Sequence, residues 1–369
     1  MKEKKRRRIG AGLVVVLWLV LTAAVWCKPA DSVSEAERRK LAQFPEASLN
    51  GILSGAFMED FESYAADQFP LRDAFRQLKA RFSYDVLGQG DNNGIYLAEG
   101  YAAALEYPLN ETSVSNAVAH INGIYETYLK DSGSEIYLSI VPDKGYYLGE
   151  ENGYPAMDYE TLFQQVEQGT SWAEFVDITD CLTISDYYRT DTHWRQEKLF
   201  SVAEKLCSSL GVMAPRQEDH TQTALERDFY GVYYGQAALP MEPETMYLME
   251  SKLLENCTVY NHETGKTTGI YDREKLSSQD LYDVFLSGAT PLLTIENPGG
   301  EPGRELIVFR DSFGSSLIPL LLQDYSTVTV VDTRYLSAGL LGEYVDFHGQ
   351  DVLFLYSTLL LNSSSALKS

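Results

Sequence analysis

Cysteine and histidine are scarce in this chain, four and five among 369 residues, and that scarcity excludes much metal and redox chemistry. There is no Cys-x-x-Cys, so neither a zinc ribbon nor a thioredoxin-like pair is on offer. Cys27 falls inside an apolar run, which leaves Cys181, Cys207 and Cys257. An odd set allows at most one disulfide, and the sequence does not choose the pair. No His-x-x-x-His and no second His/Asp cluster supplies further metal ligands, and nothing calls for a cofactor. Positive charge is missing from most of the chain as well. Residues 1–8 carry six basic groups and one acid, a net of +5, which leaves −28 for the remainder of a chain whose total is −23. A domain so acidic is repelled by nucleic acid and by anionic headgroups, so a polynucleotide partner is excluded. Internal repeats and low-complexity tracts are absent too.

What is present begins at the N-terminus. Lys2, Lys4, Lys5, Arg6, Arg7 and Arg8 precede an uncharged apolar run over 9–27. That run is about 19 residues, roughly what a bilayer needs at 1.5 Å per residue. The positive flank is expected to stay cytoplasmic, which places the chain after Lys28 outside. A cleaved signal peptide is the rival reading. Against it, the run is long for a signal core, and Trp26-Cys27-Lys28 is a poor small-residue cleavage site. Trp26 before Cys27 also speaks against an acylated lipoprotein cysteine. The organisation expected is therefore a basic cytoplasmic tail (1–8), a single-pass signal anchor (9–27), a membrane-proximal helical stalk (28–90) and a globular domain (91–369).

Within the stalk, one helix is expected to start at Ser34-Glu35-Ala36-Glu37 and another to run over 58–66 with Phe61 and Tyr64 inward. A third, with Pro70 in its first turn, continues through Phe75, Leu78 and Phe82. From about residue 94 the texture becomes α/β. A hairpin is expected around Glu99-Gly100, a helix over 114–129, strands over 136–141 and 175–178, and a helix over 195–210. The Tyr- and Glu-rich stretch 215–290 is less regular. Strands are expected again over 306–309, 328–331 and 352–355. A helix over 315–322 joins the first two into a βαβ unit, which implies parallel strands.

Two segments carry chemistry. Leu306-Ile307-Val308-Phe309 reads as a strand buried on both faces, and Arg310-Asp311-Ser312-Phe313-Gly314 turns it into the next helix. Ser312 would then lie at the carboxyl end of a strand, where ligands of α/β sheets gather, with backbone N–H groups to hold an oxyanion. The plainer reading is that Ser312 or Asp311 merely caps a helix. The other segment is Asp191-Thr192-His193-Trp194. Asp191 is close enough in sequence to take the Nδ1 proton of His193 and orient its ring. Its plainer reading is a capping Asp beside a packed His, and a metal site built on Asp-x-His is a second rival. His120, His220, His262 and His348 lie in locally polar contexts and are expected at the surface. Together Ser312, His193 and Asp191 supply a nucleophile, a base and an orienting acid. Arg334, Tyr335, Tyr356 and Lys144 follow strand ends and are candidates for an oxyanion or substrate rim, each with packing or a solvated face as the alternative.

Thr190-Asp191-Thr192-His193-Trp194 resembles the signature of the DHHW family, which looks like the SGNH-type alginate O-acetyltransferases of bacterial envelopes. Asp67-Gln68-Phe69-Pro70-Leu71-Arg72-Asp73, Gly231 to Tyr234, Tyr282 to Gly288, the Arg310 to Gly314 corner with Pro319, Val331 to Tyr335 and Asp351 to Tyr356 are similar to family segments in the same order. The resemblance implies a three-layer α/β/α SGNH-hydrolase-like domain with a mostly parallel sheet, Ser312 as nucleophile, His193 as base and Asp191 as orienting carboxylate. Two departures stand out: Thr192 where the family name has histidine, and Arg310 where Gly-Asp-Ser motifs have glycine. The activity expected is extracytoplasmic O-acetyl transfer to, or acetyl ester hydrolysis of, an envelope polysaccharide. The resemblance also implies an integral-membrane partner that delivers acetyl groups. The alternative is a non-catalytic envelope scaffold or polysaccharide-binding protein that keeps the fold. A metal-dependent hydrolase is the third reading.

Overall fold

A computed structural model describes residues 2–34 and 36–368. The chain divides into two compact units, one formed by 1–92 with Tyr234–Pro240, the other by Asn93–Tyr233 with 241–369.

The first unit opens with the helix Lys2–Cys27. Its span Arg6–Ala24 is 19 residues long, has a mean hydropathy of 1.7, and has no residue buried inside the protein. A short antiparallel pair, Val33–Ser34 with Arg39–Lys40, follows. The helix expected to start at Ser34 is thus a turn, closed through Arg38 at φ 51°, and Glu35 lies outside the described residues. Helices Leu49–Ser54, Ala56–Asp67 and Arg72–Arg81 come next, and a π turn, Phe82–Val86, prolongs the last. Pro70 falls in the link before Arg72 instead of in the first turn, because Leu71 takes a left-handed φ of 58° at the N-cap. Asp67 ties the unit together. Its carboxylate takes both Arg39 guanidinium nitrogens (2.8 and 2.5 Å) and the Ala42 N–H (2.9 Å). The Arg39 hydrogen bond, working against burial, holds the Asp67 pKa down at about 2.

The second unit is built on an eight-stranded sheet. In chain order its strands are β1 (Ile136–Val141), β2 (Glu174–Phe175), β3 (Thr258–Asn261), β4 (Lys266–Thr268), β5 (Leu292–Glu296), β6 (Glu301–Arg310), β7 (Tyr325–Val331) and β8 (Asp351–Ser357). The spatial order is β4-β3-β5-β7-β6-β8-β1-β2. From β7 to β2 every pairing is parallel, while β5, β3 and β4 extend the β7 edge with antiparallel pairs. Alternation along the strands sends Val308, Leu353 and Leu355 to one face, against helix Phe200–Ser209. Ile307, Phe309, Val352 and Phe354 face the other way, toward helices Glu111–Ile124 and Tyr159–Gly169. Apolar residues on both faces are what a covered parallel sheet requires, and the result is three layers, α/β/α. Helix, loop and strand bounds move by a few residues from those expected, but the parallel core strands stand where the apolar runs place them.

Four strand ends meet at one edge of this sheet. The carboxyl ends of the parallel strands deliver Asp143 and Lys144 after β1, Asp311 and Ser312 after β6, Asp332 to Tyr335 after β7, and Ser357 at the end of β8 with Thr358 after it. That is the position at which open α/β sheets place ligands. The expected helix over 315–322 is only one α turn, Gly314–Leu317, continued as a 3-10 turn, Ile318–Leu321.

Candidate active site

Ser312 and His193 are 119 positions apart in sequence and touch in the fold. Their Oγ and Nε2 atoms are 2.8 Å apart, and on the far side of the ring Nδ1 lies 2.6 Å from Asp191 Oδ1. A carboxylate only accepts, so the ring proton belongs on Nδ1, and Nε2 is left to accept from the serine hydroxyl. Asp191 is fully buried and His193 nearly so, whereas Ser312 is half-buried and open to solvent. The arrangement is a continuous relay ending at a reachable hydroxyl.

Each member is held by neighbours of its own. Asp191 Oδ1 also accepts the His193 N–H (3.1 Å), and Oδ2 accepts the Val232 N–H (2.8 Å). Both oxygens are therefore spoken for, which fixes the carboxylate plane. Buried Glu244 takes the Arg189 N–H, the Thr190 N–H and the Thr190 hydroxyl, all within 2.9 Å, and Thr190 Oγ1 in turn accepts the Gly231 N–H. Gly231 must be glycine here, since a Cβ would lie 2.2 Å from the Asp191 Cα. The His193 ring lies flat on Tyr282, with centroids 3.9 Å apart and planes at 9°. A π face there favours the imidazolium that proton transfer creates. Tyr282 shares Ser316 Oγ with the Trp194 indole N–H, and Trp194 also donates to the Phe313 carbonyl (3.0 Å). Through Ser316 the histidine segment is locked to the turn that carries Ser312.

At the serine corner neither Ser312 nor Asp311 caps the helix, whose N-cap position is Phe313 with no side-chain cap. Asp311 closes the turn instead: Oδ1 accepts the Phe313 N–H (3.0 Å) and Oδ2 the Ser357 N–H (2.8 Å) at the end of β8. Ser312 is thereby left for His193. Among the described residues its own N–H has no protein acceptor, which suits a donor to an oxyanion. With a helix of one turn behind it, that single N–H matters more than any helix dipole. The departure at Arg310 is accommodated by burial. Its guanidinium donates to the Gly288 carbonyl (3.0 Å) and the Asp311 carbonyl (3.3 Å) and faces Asp332 at 3.6 Å. Burial pushes the Arg310 pKa down while Asp332 opposes the shift. The glycine of this corner is Gly314, whose Cβ would meet Arg310 Cβ at 2.8 Å.

The four rim candidates separate. Arg334 and Tyr335 follow β7 and keep solvent access, with Arg334 paired to Asp332 (2.7 Å) and its guanidinium over the Tyr335 ring at 5.5 Å. Neither bonds to the relay. Lys144 and Tyr356 lie beneath the rim. Tyr356 is buried on the other sheet face and reaches Thr333 Oγ1 (3.3 Å), which also contacts His120 Nε2 (3.1 Å). His120 is accordingly half-buried in a hydrogen-bonded chain instead of on the surface. Lys144 is 1 % exposed, donates to the carbonyls of Tyr188 (3.0 Å) and Arg189 (3.3 Å), and sits 5.0 Å from the Tyr233 ring. It braces the start of the loop that presents Asp191. Cys181, Cys207 and Cys257 are all free thiols. Among the described residues no group of three His, Cys, Asp or Glu side chains is placed to share a metal ion.

Residues 182–331 match the model of the DHHW protein family, so the resemblance carried by Thr190 to Trp194 extends through the serine corner to the end of β7. A DHHW family protein from Eubacterium siraeum superposes with a TM-score of 0.62 at 21% identity, covering 76% of this chain and 97% of that one. Bacillus cereus PatB1, solved with a sulfonyl adduct, gives 0.58 at 17% identity over 72% of this chain and 95% of its own. At these identities the likeness is one of fold, and the fold is SGNH-hydrolase-like. Among curated proteins, the probable alginate O-acetylase AlgJ of Pseudomonas syringae pv. tomato is 24% identical over 223 residues, 56% of each chain. The chain thus spans little more than half the length of that relative.

Proposed function

We propose that this protein is a serine-dependent O-acetyltransferase or acetylesterase that acts on a cell-envelope polysaccharide, held to the membrane by its N-terminal helix with the sheet domain outside. The observation that carries the chemistry is the unbroken chain Asp191–His193–Ser312, with contacts of 2.6 and 2.8 Å. His193 Nε2 takes the Ser312 proton as Oγ attacks an acetyl carbonyl, and the Ser312 N–H donates to the oxyanion. Collapse expels the donor's alcohol oxygen, which leaves with the proton from His193, and Ser312 is acetylated. His193 then takes the proton of an acceptor hydroxyl, which attacks the acetyl carbon and regenerates Ser312. A sugar hydroxyl as acceptor makes the protein a transferase, and water makes it an esterase. Membrane tethering favours transfer, because an integral-membrane donor protein could supply acetyl groups at the same surface. The name of the AlgJ relative is what suggests a polysaccharide acceptor.

An arylsulfonyl fluoride, which captures an activated serine, tests this reading by intact mass. Wild type is expected to gain one adduct on Ser312, and Ser312→Ala none. His193→Ala should slow both labelling and p-nitrophenyl acetate cleavage by about 10³-fold or more. An inert wild type favours the scaffold or polysaccharide-binding role. Activity abolished by chelators and restored by metal favours a metal-dependent hydrolase.

A further inference from the structure

The helix Arg72–Arg81 is built inside out. Two of its three arginines point into its own unit: Arg72 and Arg76 pair with Glu37, and Arg76 also donates to the Gly235 carbonyl. Ala80 is buried, as is Ser83 in the π turn that follows. The large apolar side chains point the other way. Leu71, Phe75, Leu78, Phe82 and Val86 succeed one another at intervals of three and four, which makes a single face, and they are 45 to 71% exposed. A surface helix of a water-soluble domain has the opposite polarity, with apolar residues inward and charges outward. A stripe this long, left open to water, marks a surface meant for an apolar partner.

Three observations point to lipid as that partner. The unit follows a helix whose span Arg6–Ala24 is long and apolar enough to cross a bilayer, so a membrane would be held close by the chain itself. Beyond residue 8 the chain carries a net −28, yet between 71 and 86 there are four basic side chains, of which Arg72 and Arg76 are taken up by Glu37. Lys79 and Arg81 among them are exposed beside the stripe. An apolar face flanked by lysine and arginine is the pattern of a helix that lies in the headgroup layer of an anionic bilayer. We infer that the stripe of Leu71, Phe75, Leu78, Phe82 and Val86 docks onto an anionic bilayer, the membrane that the N-terminal helix spans. The inference rests on the anchor reading above, and the test separates the two.

The full chain is reconstituted into phosphatidylcholine vesicles containing phosphatidylglycerol and a diazirine phospholipid, photolysed, and mapped by mass spectrometry. Lipid adducts are expected both on 9–27 and on 71–86. Those on 71–86 should fall several-fold when phosphatidylglycerol is omitted, and should vanish in a Leu78→Glu, Phe82→Glu chain that keeps its adducts on 9–27. Adducts confined to 9–27 in wild type overturn the inference and leave the anchor intact. Absence of adducts on 9–27 removes the anchor itself. A stripe that takes no lipid and instead cross-links to a second copy assigns this face to self-association and overturns the inference as well.

Discussion

At the residue scale, Lys144 shows how a supporting side chain can be read in solution. Its hydrogen-bond partners are two carbonyls, and burial lowers its pKa to about 7 even though Asp191, Glu244 and Asp143 pull it back up. Between about pH 7 and its ordinary 10.5, the unfolded chain keeps a proton that the folded chain has released. Stability must therefore rise with pH in that window, by at most about 1.4 kcal/mol per unit, and below pH 7 this contribution is flat. Buried Cys207 and Cys257 work in the opposite sense. Burial pushes their thiols up to about 12 and about 11, so above the ordinary 9.0 they lower stability as pH rises. Urea unfolding between about pH 7 and about 8.5 isolates the lysine. Wild type should gain about 1–2 kcal/mol over that range, and Lys144→Met should not. Parallel curves for the two proteins would remove Lys144 as the buried titrating group.

At the scale of elements, the turn between β6 and the helix after it hangs on Asp311, which serves the N–H of Phe313 in its own turn and that of Ser357 on the neighbouring strand. Asp311→Ala leaves two buried donors unpaired, so unfolding free energy should drop by about 2–5 kcal/mol and acetyl ester cleavage should fall with it. Asp311→Asn retains one acceptor oxygen and should recover part of both. Full activity in Asp311→Ala would mean the turn holds its shape without this bond. The same corner shows what was legible beforehand. Leu306 to Phe309 is apolar without interruption, and a strand buried on both faces is what such a run specifies. The antiparallel edge was hidden, because Thr258–Asn261 and its hairpin partner β4 are short and join the sheet only through β5, far along the chain. The relay was legible because Asp191 and His193 sit two residues apart and Ser312 follows a strong strand. Its supports were not: Glu244, Val232 and Tyr282 reach Thr190, Asp191 and His193 across gaps of 41 to 89 positions. Lys144 beside Asp143 looks like an ordinary charged turn, and only the distant Tyr188, Arg189 and Tyr233 enclose it.

For the whole molecule, the proposed function makes charge a filter on which glycans can approach. Beyond residue 8 the chain carries a net −28, and at low ionic strength the field of such a charge extends about 30 Å from the surface. A polyuronate carries one negative charge per sugar and would be opposed along its whole length, whereas a neutral polymer would feel little. Raising salt from about 10 mM to about 1 M shortens the screening length to about 3 Å and strips most of that opposition. With a neutral acceptor, KM should therefore stay nearly constant across this range. With a polyuronate, KM should fall as salt rises while kcat changes little, since the chemistry at Ser312 is the same once the chain is seated. Arg334, partly exposed beside Asp332, is the local exception that could seat one carboxylate against the general field. If KM for a polyuronate instead climbs with salt, attraction by a local basic site such as Arg334 outweighs the charge of the whole molecule, and the preference for neutral glycans is wrong.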